Sequence, residues 1–279
     1  MRTSLVAVAL AMVVLLTILI AVSMAPTNIP YDVNNPNWDG YSRASALCGF
    51  KQLYGLSNVN NASLLILIPQ TPPSARLINE LRGFLTNGGW LVVLSNGLMY
   101  GNAVLSGLHV NVTIGGGVIT DPLFNLGNPY VIIGTVVNTT IVNESLTVVL
   151  DNASPIVVSG GATVMAYSSQ SSLVSSTVGP YPVMVYVKYG RGYLIVASTP
   201  SVFMNSLIGE FNNSQLLKAL CVNRTVGFLE PLLANNPQLR LRGFFIEAYA
   251  YLSLRPVNYI MVMAPLIIAS LALAKHKNT

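Results

Sequence analysis

The chain has 279 residues, of which 52% are hydrophobic and only 8% are charged, and its formal net charge is +5. An average soluble domain is about a quarter charged, so the apolar excess indicates hydrophobic segments. The basic residues stand singly, without a Lys/Arg run and without alternation with aromatic residues, which excludes a nucleic-acid-binding protein. The interior of the chain is rich in Asn, Ser, Thr, Gly and Val, and this predicts a polar but largely uncharged surface.

The N-terminus is predicted to be a transmembrane anchor at 1–25. Behind Arg2, residues 5–22 form an almost unbroken apolar run, and a helix that rises 1.5 Å per residue would let this run nearly span a bilayer core of about 30 Å. A cleaved signal peptide is the alternative, since residues 23–25 resemble a small-residue cleavage site. Pro26 would directly follow the cut, which favours the retained anchor.

A second apolar run, 257–274, predicts a C-terminal transmembrane helix, followed by a basic tail at 275–279. A buried core helix is the alternative, but such a helix would show a polar face, and this run has none. Basic residues at both ends of the chain favour the cytoplasmic side. We therefore expect a plasma-membrane protein with cytoplasmic termini, an extracytoplasmic domain at 26–226 and an amphipathic connector at 227–256.

Several Asn-x-Ser/Thr sequences favour glycosylation of an exterior surface. Each match is weak alone, and the one at Asn152 is doubtful because Pro155 follows it. The remaining candidates are Asn61, Asn111, Asn138, Asn143, Asn212 and Asn223.

The chain contains two cysteines, Cys48 and Cys221. Each lies in or at the end of a predicted helix, 41–54 for the first and 212–222 for the second. In a doubly wound sheet the first and last helices often lie on the same face, so the two side chains can meet. The sequence leaves open a disulfide, which would close a long loop, and two buried free thiols.

The first half of the domain predicts alternating strands and helices. A helix at 42–54 precedes a buried strand at 64–68, which ends at a proline. Residues 71–74 open the next helix, Asn-Gly-Gly at 87–89 ends it, and a second buried strand follows at 90–94. Strand, helix and strand in this order are the unit of a parallel sheet with right-handed crossovers.

In the second half of the domain the sequence pattern changes from alternating strands and helices to mainly strands. Short Val/Ile/Thr-rich runs between 108 and 187 alternate with turn residues and predict an antiparallel meander. A buried strand at 193–197 and a helix at 212–222 complete the domain. We therefore predict an α/β fold: an open, mainly parallel, doubly wound sheet of the flavodoxin or amidotransferase type, with an antiparallel β meander, flanked by two transmembrane helices.

The chain resembles a known family over residues 30–225. The resemblance rests on 64–69, on Asn-Gly-Gly at 87–89 with the strand after it, and on the segment 189–205 (YGRGYLIVASTPSVFMN) with Asn-Asn at 212–213. These residues are similar to the membrane-anchored group called domain of unknown function 4350. The resemblance implies a fold like that of class I glutamine amidotransferases and of auxiliary domains in ABC-type and gliding systems, and implies no activity.

The sequence predicts no catalytic centre and no cofactor. An amidotransferase needs a nucleophilic Cys on a strand-to-helix elbow together with a His, and neither cysteine stands in such a context. The histidines are His109 and His276, and the second is predicted to be cytoplasmic. Residues 32–40 only faintly resemble a calcium loop and favour a capped turn. The His, Cys and carboxylate residues show no metal-binding spacing.

A ligand site is predicted where the parallel strands end, because ligands of open parallel sheets bind beyond the carboxyl ends of the strands. Helix caps and turns are the alternative role of these polar residues. The candidate residues are Gln70, Ser95, Asn96, Ser198, Thr199 and Asn205.

From these patterns the chain is predicted to be a non-catalytic, membrane-anchored binding or scaffold protein of an envelope or transporter-associated complex. Its expected partners are the lipid bilayer, membrane or envelope proteins and a neutral polar ligand such as a sugar, and not nucleic acid. The alternative is an envelope hydrolase that acts on glycans or peptides through an unrecognised site.

Overall fold

The computed structural model describes residues 2–54, 59, 61–230 and 236–252. The helices are α1 (Arg2–Met24), α2 (Ser42–Cys48), α3 (Ala75–Thr86), α4 (Gly101–Gly107), α5 (Asn213–Cys221) and α6 (Pro237–Leu252). The strands are β1 (Lys51–Leu53), β2 (Leu64–Leu67), β3 (Trp90–Leu94), β4 (Val112–Ile114), β5 (Val131–Val136), β6 (Leu146–Asp151), β7 (Ile156–Val158), β8 (Ala162–Ser168), β9 (Leu173–Val174), β10 (Thr177–Val178), β11 (Pro182–Tyr189), β12 (Gly192–Ala197) and β13 (Val226–Leu229). The chain divides into two compact units: residues 26–235 form one, and α1 and α6 belong to the other.

Nine strands of the larger unit form one sheet in the order β1-β13-β2-β3-β12-β11-β8-β5-β6. The first five run parallel to their neighbours. From β12 to β6 every pairing is antiparallel. The predicted fold class is therefore wrong in two respects: the sheet is mixed, not mainly parallel, and the transmembrane helices are not supported.

A tight turn explains why the antiparallel strands join the same sheet. Only Gly190 and Arg191 separate β11 from β12, and Gly190 has a φ of 58°, a conformation that glycine adopts without a steric cost. A two-residue loop can join only antiparallel neighbours, since a parallel pair needs a long crossover. The hairpin thus places β11 directly beside β12, and the remaining strands of the meander extend the sheet from β11.

Both faces of the parallel half are covered, and this is why its strands are continuous apolar runs. Leu65 and Leu91 belong to a core cluster with residues of α3, α4 and the small β4–β7 ribbon. On the opposite face Phe228 of β13 packs against the rings of Tyr41, at 5.8 Å, and Phe50, at 6.0 Å. The alternation of side chains along each strand divides the core into these two halves.

The outer edge of β6 is covered by side chains instead of another strand. The side-chain oxygens of Asn212, Asn213 and Ser201 accept the backbone N–H groups of Thr147 (3.0 Å), Val149 (2.9 Å) and Asp151 (2.8 Å). The matching carbonyls accept hydrogen bonds from the backbone N–H of Asn212, the amide of Asn213 and the hydroxyl of Ser201. Every outward-facing backbone group of these three β6 residues is therefore paired, which is how a sheet edge is protected from further strand pairing.

Cys48 and Cys221 form a disulfide, with their Cα atoms 6.0 Å apart. Cys48 is the last residue of α2, and Gly49, in the left-handed conformation, ends that helix. Cys221 is the last residue of α5, and α2 and α5 contact each other. The bond joins residues separated by 173 positions, so it encloses most of the larger unit in one covalent loop.

The prediction of transmembrane helices, and with it that of a plasma-membrane location with an extracytoplasmic domain, is wrong for the described residues. None of their helices combines the length and the apolar composition that crossing a bilayer requires. The second predicted span, 257–274, and the tail, 275–279, lie outside the described residues.

In the smaller unit, side chains of α6 donate hydrogen bonds to the backbone carbonyls at the C-terminal end of α1. The buried Arg242 donates from its guanidinium to the carbonyls of Ser23 and Ala25, both at 2.6 Å. Gln238 donates its side-chain amide to the carbonyls of Val22 and Ala25, both at 3.2 Å. The last carbonyls of a helix have no partner within the helix and carry partial negative charge, so a buried guanidinium stabilises them.

Candidate functional site

A cleft of about 380 Å³ lies beyond the ends of β3 and β12. Five segments line it: the N-terminal loop within 30–39, the turn after β3 within 96–98, the segment after β4 within 116–118, the turn after β6 within 151–154 and the segment after β12 within 199–204. This is the edge where open parallel sheets bind ligands. Its volume falls within the range of small-molecule sites, about 300–1,000 Å³.

Backbone pairing holds these segments together beyond the strands. The N–H of Ser95 donates to the carbonyl of Ala197 at 3.1 Å, so β3 and β12 stay paired to their ends. The N–H of Ser154 donates to the carbonyl of Ser198 at 3.2 Å, and the Ser154 hydroxyl accepts the N–H of Gly97 at 3.0 Å. The turn after β6 is thereby attached to the ends of both parallel strands.

Asn205 shapes the N-terminal loop that forms another wall of the cleft. Its buried side-chain amide donates to the carbonyls of Asn35 (2.9 Å) and Asn37 (2.6 Å) and to the Ser42 hydroxyl (3.1 Å). Its oxygen accepts the N–H of Arg43 at 2.9 Å. Asn205 is one of the residues predicted to bind a ligand; in the structure its hydrogen bonds position the loop that carries Trp38.

Two further residues fix the same loop. At Gly40 a Cβ would lie 1.9 Å from the carbonyl oxygen of Asn35, so only glycine fits this close approach. Next to it, the fully buried Tyr41 donates its hydroxyl to the carbonyl of Pro200. Burial, and then the proximity of Tyr31, raise the pKa of Tyr41 well above its ordinary value. Tyr41 is therefore a neutral hydrogen-bond donor that links the loop to the segment after β12.

The cleft contains two carboxylates, Asp39 and Asp151, and none of the described residues that line it is basic. Burial raises the pKa of Tyr31, and the charges of Asp151 and Asp39 raise it further, so both carboxylates act on the same region. Burial also raises the pKa of Asp151 itself, although hydrogen bonds from Asn152 oppose this shift. The six residues predicted for a ligand site carry only hydroxyls and amides, so the prediction did not include these two carboxylates.

Several lining side chains have hydrogen-bonding capacity left over. A carboxylate can accept about four hydrogen bonds. Among the described residues, the Asp39 carboxylate accepts one hydrogen bond, from the Asn35 side chain at 2.9 Å, and Asn152 alone donates to the Asp151 carboxylate. The Asn96 oxygen accepts the N–H of Leu98 at 3.1 Å. Its amide nitrogen donates no hydrogen bond within the described part of the chain. These groups remain available to a bound molecule.

The other residues predicted for a ligand site mostly have structural roles. Of the six residues predicted to bind a ligand, Asn96 and Thr199 line the cleft. Thr199 donates its hydroxyl to the Asp151 carbonyl at 2.7 Å, and the buried Ser95 accepts the N–H of Gly101 at 3.1 Å. The buried hydroxyl of Ser198 has no partner within the described residues. Ser198 and the half-buried Gln70 lie outside the cleft wall.

The glycosylation candidates differ in exposure. Asn212 is half-buried, and its side chain is engaged with β6 and with Gln215. The other five are exposed: Asn61, Asn111, Asn138, Asn143 and Asn223.

Outside the cleft, a buried carboxylate organises a serine-rich turn. Asp121 has no exposed surface and accepts hydrogen bonds from the hydroxyls of Ser169, Ser171 (2.8 Å) and Ser172 (3.0 Å). It also accepts the N–H groups of Leu123 (2.9 Å) and Phe124 (2.8 Å). Burial alone would raise the pKa of Asp121, but these hydrogen bonds outweigh it and hold the pKa below the ordinary value.

We expect Asp121→Asn to lower the free energy of unfolding by about 1–3 kcal/mol at neutral pH, because the charged acceptor of five hydrogen bonds is lost. A carboxyl whose pKa is lowered by folding stabilises above its unfolded pKa, and this contribution disappears as the pH falls through its folded pKa. The difference between wild type and variant should therefore shrink on acidification. Denaturant unfolding measured from pH 7 to pH 3 tests this expectation.

The exposed Glu144→Gln is the matched control for the loss of one carboxylate from this unit. Because Glu144 is exposed, this substitution should change the free energy of unfolding at neutral pH by much less than Asp121→Asn does. Parallel pH profiles for wild type and Asp121→Asn would contradict the role given to Asp121.

The cysteines and histidines of the described residues give no indication of catalysis. Both cysteines are in the disulfide, so neither supplies a thiolate nucleophile. His109 is exposed, with a φ of 58°, and His276 lies outside the described residues. Within the described part of the chain, His, Cys, Asp and Glu form no cluster of three or more that could hold a metal ion.

Comparison with known proteins gives a family and distant structural likenesses. A family model described as "Domain of unknown function (DUF4350)" matches residues 49–221. No curated protein sequence matches the chain. Among solved structures, the mmIFT52 N-terminal domain is 15% identical with a TM-score of 0.48, and the match covers 60% of this chain and 78% of that one.

Two further structures are similarly remote. A β-galactosidase from Bacillus circulans sp. alkalophilus is 13% identical with a TM-score of 0.37; the match covers 57% of this chain and 22% of the enzyme, so the chain spans about a fifth of the enzyme's length. A cytoplasmic protein from Salmonella typhimurium LT2 is 12% identical with a TM-score of 0.36, with 63% and 73% covered. These values carry no inference about function.

Proposed function

We propose, for a chain that belongs to the DUF4350 family, a non-catalytic binding or scaffold function in which a small polar ligand or a partner's loop occupies the cleft beyond β3 and β12. The observation that carries the proposal is the convergence of partly unsatisfied hydrogen-bonding groups in one concave site. Asp39, Asp151 and Asn96 come from three different segments of the chain, and each keeps hydrogen-bonding capacity that no bond among the described residues uses. Concave sites with a few convergent polar groups are the usual places for ligands.

The rigidity of the walls also supports binding. The N-terminal loop is held by Asn205 and Tyr41, and the turn after β6 by Ser154. A site that is already ordered loses less conformational entropy when a ligand binds. The resemblance to class I glutamine amidotransferases remains part of the proposal: it would make the cleft the counterpart of an active site from which the nucleophile is missing.

We expect a screen of small polar compounds, including sugars, amino acids, polyamines and nucleosides, to find ligands for the cleft. In two-dimensional NMR spectra the perturbed amides should cluster around Trp38, Asn96 and Asp151. The double substitution Asn96→Ala with Asp151→Asn should weaken a hit by about tenfold or more, because hydrogen bonds to charged groups contribute about 1.5–3 kcal/mol.

Lys188→Ala, on β11 and outside the cleft, provides the control and should leave affinity unchanged. Perturbations that cluster elsewhere, or a hit unaffected by the double substitution, would contradict the binding function assigned to this cleft.

A hydrolase is the second candidate, favoured by one observation. Two carboxylates share the cleft, and burial raises the pKa of Asp151. Glycosidases use a pair of carboxylic acids, and the one that acts as general acid has a raised pKa. Turnover of a cleft ligand that Asp151→Asn abolishes without loss of binding would replace the binding proposal with this one.

A further inference from the structure

One wall of the cleft is an exposed indole ring. Trp38 keeps 67% of its surface accessible, although a large aromatic side chain gains free energy from burial. Its backbone is held in place, because its carbonyl accepts the N–H of Ser206 at 3.0 Å. The ring is therefore presented from an ordered loop, beside the carboxylate of the next residue. A molecule with an apolar face and a polar rim would match this pairing.

The polar groups of the cleft include both acceptors and donors. Asp39 and Asp151 offer carboxylate oxygens, while Asn96 offers an amide N–H and Tyr31 a hydroxyl held in its neutral form by its raised pKa. A hydroxyl group donates one hydrogen bond and accepts others, so a ligand with several hydroxyls can satisfy both kinds at once. Hydrogen bonds from such hydroxyls to the carboxylates would be charge-assisted and therefore strong.

The charge of the cleft excludes other ligand classes. Two carboxylates, without a basic residue among the described lining, repel phosphates and carboxylates, and the many polar groups disfavour a purely apolar ligand. A simple cation would match Asp39 and Asp151 but would leave the donors of Asn96 and Tyr31 without acceptors.

From these matches we infer that the cleft binds a neutral saccharide. One ring stacks its C–H face on Trp38, and its hydroxyls bond to Asp39, Asp151 and Asn96. The volume of about 380 Å³ limits the ligand to one or two rings. This inference rests on the binding function proposed above and names the ligand class for the same cleft.

The chain offers its own reporter for the test, because it contains only two tryptophans. The second, Trp90, lies outside the cleft, with the Arg224 guanidinium 3.6 Å from its ring centroid. In a Trp90→Phe background the tryptophan fluorescence, excited selectively over that of tyrosine, comes from Trp38 alone. Titration with glucose, galactose, mannose, N-acetylglucosamine and their disaccharides should produce a saturable blue shift for at least one of them, since a stacked sugar displaces water from the indole.

Calorimetry on the best of these sugars then tests the contacts. Trp38→Ala and Asp151→Asn should each weaken binding by at least about tenfold, as expected for central contacts of a site, and Trp38→Phe should weaken it less. The exposed Phe124→Ala, outside the cleft, should change nothing. Circular dichroism verifies that each variant is folded.

The outcomes separate this inference from the proposed function. Cleft binding of spermidine or lysine, without binding of any sugar, overturns the saccharide inference and leaves the binding function standing. Absence of binding by every compound contradicts both. Sugar binding that survives Trp38→Ala and Asp151→Asn unchanged also overturns the inference, because the contacts named here would not form.

Discussion

The double substitution Cys48→Ala with Cys221→Ala is expected to lower the free energy of unfolding by about 5 kcal/mol, the largest single effect in this chain. The disulfide joins residues 173 positions apart. In the chain-entropy model the stabilisation grows with the logarithm of the closed loop, because the bond removes conformations from the unfolded chain. Most domains are stable by only about 5–15 kcal/mol, so the variant should be close to unfolding.

Guanidinium or urea unfolding of the oxidised wild type and the double variant measures this effect. The dependence of the free energy on denaturant should also steepen, since the open chain exposes more surface when it unfolds. Wild type treated with a reducing agent should behave like the double variant. Equal unfolding midpoints for oxidised wild type and the variant would contradict the stabilising role of the bond.

Asn213→Ala is expected to cost about 3 kcal/mol, the second largest effect. The Asn213 side chain has no exposed surface and makes three hydrogen bonds: with the N–H of Val149 (2.9 Å), the carbonyl of Val149 (3.0 Å) and the carbonyl of Leu207 (2.9 Å). Alanine leaves these backbone groups without a partner, and each buried unsatisfied group costs about 1–3 kcal/mol. Thermal and denaturant unfolding measure the loss.

Two neighbouring substitutions make this test specific. Asn212→Ala removes a half-buried side chain but keeps the backbone N–H that bonds Thr147, so it should cost only about 1 kcal/mol. Asn213→Asp keeps the shape but directs carboxylate oxygens at two carbonyls, and it should be at least as damaging as alanine. If Asn213→Ala and Asn212→Ala cost the same, the edge of β6 does not depend on Asn213.

The central strands could be predicted because each is a buried apolar run between strong turn signals. The run at 64–68 ends at a proline, and Asn-Gly-Gly precedes the run at 90–94; the structure has β2 and β3 there. The mixed character of the sheet could not be predicted, because strand composition does not say which neighbour a strand pairs with. The hairpin at Gly190 decides that pairing.

Two strands of the nine-stranded sheet were missed, and both lack the usual pattern. Lys51, Gln52 and Leu53 form an edge strand that is apolar at one position only, and the sequence placed them in a helix. β13 has four buried residues, including a glycine, and was placed in an amphipathic connector. It lies between β1 and β2 in the sheet and is buried on both faces, and this burial is a tertiary effect that no short sequence window reveals.

The candidate site was predicted in position but not in composition. Asn96 and Thr199 follow strands, so the rule for parallel sheets located them. Asp39 and Trp38 belong to a loop far upstream, and Asp151 ends an antiparallel strand. Hydrogen bonds of Asn205 position the loop of Trp38 and Asp39, and those of Ser154 and Ser201 position the end of β6 and the turn after it. Long-range hydrogen bonds of this kind have no signal in the local sequence.

The disulfide also determines how the larger unit would carry mechanical tension. Because Cys48 and Cys221 are covalently joined, a force applied at residues 26 and 230 passes through the sulfur atoms and bypasses the polypeptide between them. Stretching would extend the N-terminal loop, α2 and the segment from Cys221 to β13, while the polypeptide between the two cysteines could not be extended along its length. The segment of the family match, 49–221, is thus shielded almost entirely from extension along the chain.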